Sequence, residues 1–229
     1  MEITPVATIH TPFPAKFGIP RQSGLVATES RLVFAPAYRS PEAVRGIEGF
    51  SHLWLIWEFT EAKREGNPLT VRPPRLGGNE RVGVFASRSP FRPNALGLSC
   101  VKLLRVDYSA PDGPVLYLQG ADLMDGTPVY DVKPYLPFAD CVPAAVGGFA
   151  DGAKAYALDV LYEADTAAVP ADTLAALTGV LSQDPRPHYQ KDPDRIYAFE
   201  FSGWHVEFRC ADHTLYVTKL TGSGGGEVV

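Results

Sequence analysis

Cysteine is scarce in this 229-residue chain, with three residues at positions 100, 141 and 210. The number is odd, the spacing is wide and no C-x-x-C pair occurs, which argues against a disulfide framework and a cysteine-based zinc site. No apolar run approaches the ~20 residues needed to span a bilayer. No charged-then-apolar leader opens the sequence, so no membrane role and a cytoplasmic address are expected. Absent too are a G-x-S-x-G elbow, a phosphate-cradling P-loop, an H-E-x-x-H pair and a G-x-G-x-x-G following a strand. Hydrolase, P-loop, zinc-peptidase and Rossmann chemistries therefore have no support. The histidines (10, 52, 188, 205 and 213) show no metal spacing. His52 lies in an apolar run and reads as a core histidine, whereas His205 and His213 read as exposed.

Acidic charge dominates overall, at a net −5, but unevenly. Residues 1–105 carry 14 basic against 8 acidic side chains, whereas residues 106–229 carry 7 against 18. The basic half is densest at 72–92, where Arg72, Arg75, Arg81, Arg88 and Arg92 face only Glu80. All five are arginine, whose fork binds carboxylate or phosphate bidentately. A solvated face and an anion site both remain open on composition alone.

Glycine and proline, 21 of each, punctuate many short apolar segments. The strands predicted by that pattern are 5–11, 51–59, 81–87, 96–106, 114–122 and 127–135. The run "SHLWLIWEF" (51–59) is apolar enough to be a strand buried on both faces. The small, glycine-rich stretch 143–153 is the best linker candidate. Beyond it, 153–164 reads as a strand and 169–183 as a helix, with Leu174, Leu177 and Leu181 on one face and Asp184-Pro185 as its end. Alternation at Tyr197–Phe201, Trp204–Phe208 and Leu215–Val217 predicts a three-stranded meander. The expectation is a mainly β chain: a β-barrel domain over 1–142, a small α+β domain over 150–221 and a flexible tail over 222–229.

Four stretches carry chemistry, each where a strand gives way to a loop. They are Pro20-Arg21-Gln22, the 72–92 arginine group, "ADLMDGTPVYDVKPYLPF" (121–138) and "SQDPRPHYQKDP" (182–193). Asp122 and Asp125 suit turn chemistry, and equally a carboxylate accepting from a ribose or an amine. Arg186 and Tyr189 can end the helix, or serve phosphate contact and base stacking.

"FGIPRQSGL", "AVRGIEGFSHLW", "VRPPRLGGNERVGVFASRSPFRPNALGLS", "DLMDGTPVYDVKPYLPF" and "QDPRPHY" together resemble the TrmO (YaeB) family. The five occur in family order over nearly the whole chain. The resemblance implies a β-barrel methyltransferase, not Rossmann-like, with a small C-terminal domain, acting as a homodimer. It implies methyl transfer from S-adenosylmethionine to N6 of N6-threonylcarbamoyladenosine beside the anticodon of threonine tRNA. Carried over by position, the cofactor would meet Pro20, Arg21, Gln22, Thr60, Glu61, Arg88, Leu98, Asp122, Leu123, Met124 and Asp125. The chain departs from many relatives at Ala95-Leu96, where they read Pro-Ile, and at Thr60-Glu61, where some read His-Gln.

Such a transfer needs alignment and a proton acceptor rather than a metal. Asp131, Asp125 and Tyr135 are the candidate bases, and Arg92 is the candidate fork for the threonyl carboxylate. Arg72, Arg75, Asn94, Lys133, Arg186, Tyr189 and Lys191 complete the expected substrate and tRNA contacts. The residues leave two rivals: a non-catalytic RNA-binding barrel, and a methyltransferase of the same fold with a small-molecule acceptor.

Overall fold

The computed structural model describes residues 2–62, 69–73, 80–153, 157–186 and 192–222. Alternation of apolar and polar residues builds the N-terminal strands: β1 (Ala7–His10), β2 (Glu29–Phe34) and β3 (His52–Glu58). Two short strands follow, β4 (Thr70–Val71) and β5 (Val82–Gly83), then β6 (Leu96–Asp107), β7 (Val115–Gln119) and β8 (Thr127–Pro134). Six of these close a barrel in the order β1-β2-β7-β6-β3-β8, every pair antiparallel. Closure leaves no sheet edge, and the inward side chains fill the interior. Ile9, Leu32, Leu53, Leu55, Leu116, Leu118, Leu123 and Val129 are all fully buried there.

The barrel explains where the sequence expectations miss. β3 is not buried on both faces: Leu53, Leu55 and Trp57 point inward while His52, Trp54, Ile56 and Glu58 stay half-exposed. His52 is therefore no core residue; its Nδ1 lies 2.9 Å from the Ser51 hydroxyl on the outer face. The expected strand 81–87 shrinks to Val82–Gly83 paired with Thr70–Val71, because Val84–Ala86 turns as a 3-10 helix. β2 has no counterpart in the sequence reading, since Glu29, Ser30 and Arg31 dilute its apolar pattern.

The second sheet has the order β10-β11-β12-β9. Tyr197–Phe201 (β10), Trp204–Ala211 (β11) and Thr214–Gly222 (β12) form the expected meander. Asp159–Tyr162 (β9), only the middle of the predicted 153–164 strand, adds to β12 in parallel. Ala171–Ser182 forms the helix of this unit, burying Leu177, Val180 and Leu181, with Leu174 half-buried. His205 is not free on the surface: its ring meets Glu200 at 2.6 Å and Glu207 at 3.3 Å, which raises its pKa above the ordinary value.

Two hydrophobic cores result, and the second crosses the expected boundary. Phe13 and Val26, from the loop between β1 and β2, are buried with Phe199, Phe201, Phe208 and Leu181. Of the expected tail 222–229, Gly222 is instead the last residue of β12, paired with Trp204, and 223–229 lie outside the described residues.

Candidate active site

A cleft of about 880 Å³ opens where β3 ends and β6 begins. Its walls come from the β1–β2 loop, the end of β3, the turn-rich segment 85–94, the first residues of β6 and the segment before β8.

Inward alternation along β6 places Gly97 in the wall of this cleft and Ser99, fully buried, behind it. Gly97 faces Trp57 across the ladder, and Ser99 faces Leu55. The indole N–H of Trp57 donates to the Ser99 hydroxyl at 2.9 Å, and that hydroxyl donates to an Asp122 carboxylate oxygen at 2.5 Å. Burial pushes the Asp122 carboxyl above its ordinary range, and the Ser99 bond, backbone N–H groups and the Arg88 charge only partly offset this. A desolvated carboxylate of this kind can still accept from a donor in the cleft, because its two oxygens offer about four acceptor sites. Trp57 lies outside the stretches that carry the family resemblance, and Ser99 closes one of them without being singled out. The signal was a lone Ser amid the apolar run of β6.

The arginines owe their placement to a run of serine turns. The Ser87 hydroxyl donates to the Val84 carbonyl and accepts from the Ser89 N–H, and the Ser89 hydroxyl accepts from the Phe91 N–H. Such side-chain bonds replace ladder bonds, which is why no strand forms here. Arg92 donates to the Ser87 carbonyl at 3.2 Å, and Arg88 donates to the Gln22 side-chain oxygen at 2.5 Å. Lys16 pairs with Glu61 at 3.3 Å, and the Tyr130 hydroxyl donates to Glu58 at 2.6 Å.

Of the residues expected at the cofactor, Pro20, Arg21, Gln22, Thr60, Glu61, Arg88, Leu98, Asp122 and Met124 line this one cleft, as do Arg92 and Asn94. Leu123 instead points into the barrel core, fully buried. Asp125 turns away to accept from the Thr11 N–H at 3.0 Å, with His10 at 3.3 Å. Asp131 and Lys133 pair with each other at 2.9 Å at the far end of β8, away from the cleft. Tyr135 lies against Trp54 and His52 on the outer barrel face. Arg72 is exposed beyond β4 and does not line the cleft. Arg186 is turned inward onto Asp184, with its side chain only 13% exposed. Arg75, Tyr189 and Lys191 lie outside the described residues.

Residues 8–141 match the family model of the tRNA-methyltransferase O N-terminal domain, and residues 156–223 that of the TrmO C-terminal domain. The chain belongs to the TrmO family. Over 226 residues it is 42% identical to the tRNA (adenine(37)-N6)-methyltransferase of Escherichia coli, covering 94% of this chain and 95% of that protein. A second relative of that description, from Eikenella corrodens, is 46% identical over 162 residues, 70% of this chain and 90% of its own. The crystal structure of TrmO from Pseudomonas aeruginosa superimposes with a TM-score of 0.76 at 31% identity, covering 97% of this chain and 99% of that one. TrmO membership thus covers both the barrel with its cleft and the second sheet.

Proposed function

We propose that this protein methylates N6 of adenosine 37 in tRNA, with S-adenosylmethionine as donor. The observation that carries the reading is the cleft itself, where Pro20, Arg21, Gln22, Arg88 and Asp122 converge from three separate loop segments. Family membership supplies the reaction class; the cleft supplies residues suited to it.

When bound, S-adenosylmethionine supplies an electrophilic methyl group on a sulfonium. Asp122 would accept from a hydroxyl or amine of that molecule, and Pro20 and Leu98 would offer it apolar surface in the same cleft. Holding donor and acceptor in line is worth roughly 7–11 kcal/mol in reactions of this kind. The acceptor nitrogen must lose its proton around transfer, since its lone pair is delocalised into the purine. Asp131 and Tyr135 lie outside the cleft of their own chain, so either can act only on the cleft of a second copy. Exposed Phe138, Val142 and Val146 on the arm after β8 support a homodimer that would bring such a face into use.

The finer substrate is N6-threonylcarbamoyladenosine in threonine tRNA. Arg92, fixed by the Ser87 carbonyl and facing the cleft, is the group that meets the threonyl carboxylate. The barrel carries the transfer, and the second domain, from about residue 150, contacts the tRNA. A cytoplasmic location accords with such a substrate; among the described residues no helix is long and apolar enough to cross a membrane.

The test is mass spectrometry of nucleosides from tRNA incubated with the protein and S-adenosylmethionine, with and without the threonylcarbamoyl group. N6-methylation that depends on that group supports the full reading. Methylation of a small amine without tRNA, or donor-independent tRNA binding without methylation, would instead select one of the two rivals.

A further inference from the structure

The loop between β1 and β2 serves both domains. Its middle carries Pro20, Arg21 and Gln22 into the cleft, yet its flanks belong to the second core. Phe13, 1% exposed, packs on Phe201 with ring centroids 5.6 Å apart. Phe17 is stacked with Tyr197 and Phe208 and meets Phe199 edge-on. Gly18 has φ +93° and lies so close to Phe199 that a methyl group there would come within 2.7 Å of the ring. The Ser202 N–H donates to the Pro12 carbonyl at 3.1 Å.

A polar bond from the second domain also reaches the cleft. Arg21 donates through Nη2 to the main-chain carbonyl of Asp184 at 3.0 Å. Asp184 follows the helix in a left-handed conformation, φ +51°, that Asp tolerates better than most residues. Its carboxylate is gripped by Arg186 through two bonds, Nε at 2.8 Å and Nη2 at 3.1 Å, and also accepts from the Arg186 N–H at 3.3 Å. Both side chains are largely buried, at 5% and 13% exposure. A buried ion pair of this kind is weak evidence for stability but holds a fixed geometry.

We infer that Asp184 and Arg186 are positioning residues for the methyl donor: they fix the carbonyl that holds Arg21, so the second domain shapes the donor subsite of the barrel. The inference rests on the donor occupying the cleft beside Pro20-Arg21-Gln22. It departs from the expectation from sequence, in which Arg186 is a tRNA contact. A guanidinium spent on Asp184 has its fork directed inward, away from a phosphate.

The experiment is calorimetric titration of S-adenosylmethionine without tRNA, together with steady-state methylation varying donor and tRNA separately, for the unsubstituted protein, Arg186→Ala, Arg186→Lys and Asp184→Asn. Arg186→Ala is expected to raise both Kd and KM for the donor about tenfold, within the range for small misplacements of a binding group. The KM for tRNA is expected to stay unchanged. Arg186→Lys, which keeps one charged bond to Asp184, should recover part of the donor affinity. Asp184→Asn keeps the left-handed turn and one acceptor, so it reads the same effect if Arg186→Ala does not fold.

Donor affinity retained in Arg186→Ala, with a raised KM for tRNA, overturns the inference and makes Arg186 a tRNA contact. Absence of donor binding by the unsubstituted protein overturns the donor reading itself, and this inference with it.

Discussion

Gly97 lies directly across the β3–β6 ladder from Trp57, and a methyl group on Gly97 would come within 2.3 Å of the indole. The glycine is thus the floor on which Trp57 rests. Gly97→Ala should displace the ring, break its bond to Ser99 and destabilise the fold by about 1–3 kcal/mol, the usual range for overpacking. Thermal melting and Trp fluorescence would register this, and an unmoved melting temperature would contradict the contact.

Ser99→Ala removes the hydroxyl that joins Trp57 to Asp122 and leaves a buried indole N–H without its acceptor. Each such orphaned group costs about 1–3 kcal/mol. Weakened donor binding is expected as well, because Asp122 loses the bond that orients it. Wild-type donor affinity in this variant would separate the Ser99 link from the cleft's function.

Asp122 also makes a pH-dependent prediction. Burial is the largest influence on its carboxyl and raises its pKa in the folded protein. A raised carboxyl binds its proton more tightly folded than unfolded, so its contribution is favourable at low pH and is lost as pH rises through the folded value. Asp122→Asn, which cannot ionise, should therefore melt higher than wild type at neutral pH. The gap should close as pH falls towards the ordinary carboxylate range. The same variant should bind S-adenosylmethionine less well, a trade of function for stability. Melting curves across pH, with calorimetry at pH 7, measure both halves.

Arg92→Gln tests the carboxylate fork. The loss of a charge-assisted bond should cut the preference for threonylcarbamoylated tRNA about ten- to hundredfold. Rates on modified and unmodified threonine tRNA give the ratio, and an unchanged ratio would assign the fork elsewhere.

Val146 is 88% exposed and Phe138 87%, the latter on the short helix whose Asp140 accepts from the Trp54 indole N–H at 3.1 Å. If a second copy covers this arm, Val146→Asp should shift the protein to a monomer in light scattering. A wild-type protein that is already monomeric would remove the homodimer.

Local chemistry explains which features were legible. Gly and Pro punctuation marks β6, β7 and β8, the apolar run marks β3 though not its one-sided burial, and the motif stretches name residues that do share one cleft. β2 escaped because three of its six residues are polar or charged. The inward turn of Arg186 escaped because a side chain's partner depends on a left-handed residue two positions earlier. Least readable of all was the place of Phe13 and Val26, since nothing local distinguishes a barrel-core phenylalanine from one that packs on Phe201.

That last placement has a consequence for biosynthesis. As the chain leaves the ribosome N-terminus first, the barrel strands are complete once β8 has emerged. Phe13, Phe17 and Val26 must then wait for Phe199, Phe201 and Phe208 before they have anywhere to go. Contacts that far apart in sequence close slowly and leave apolar surface uncovered meanwhile. Pro20-Arg21-Gln22 therefore settles last, when the final strands are made. A nascent or truncated chain would hold a finished barrel with an unfinished cleft.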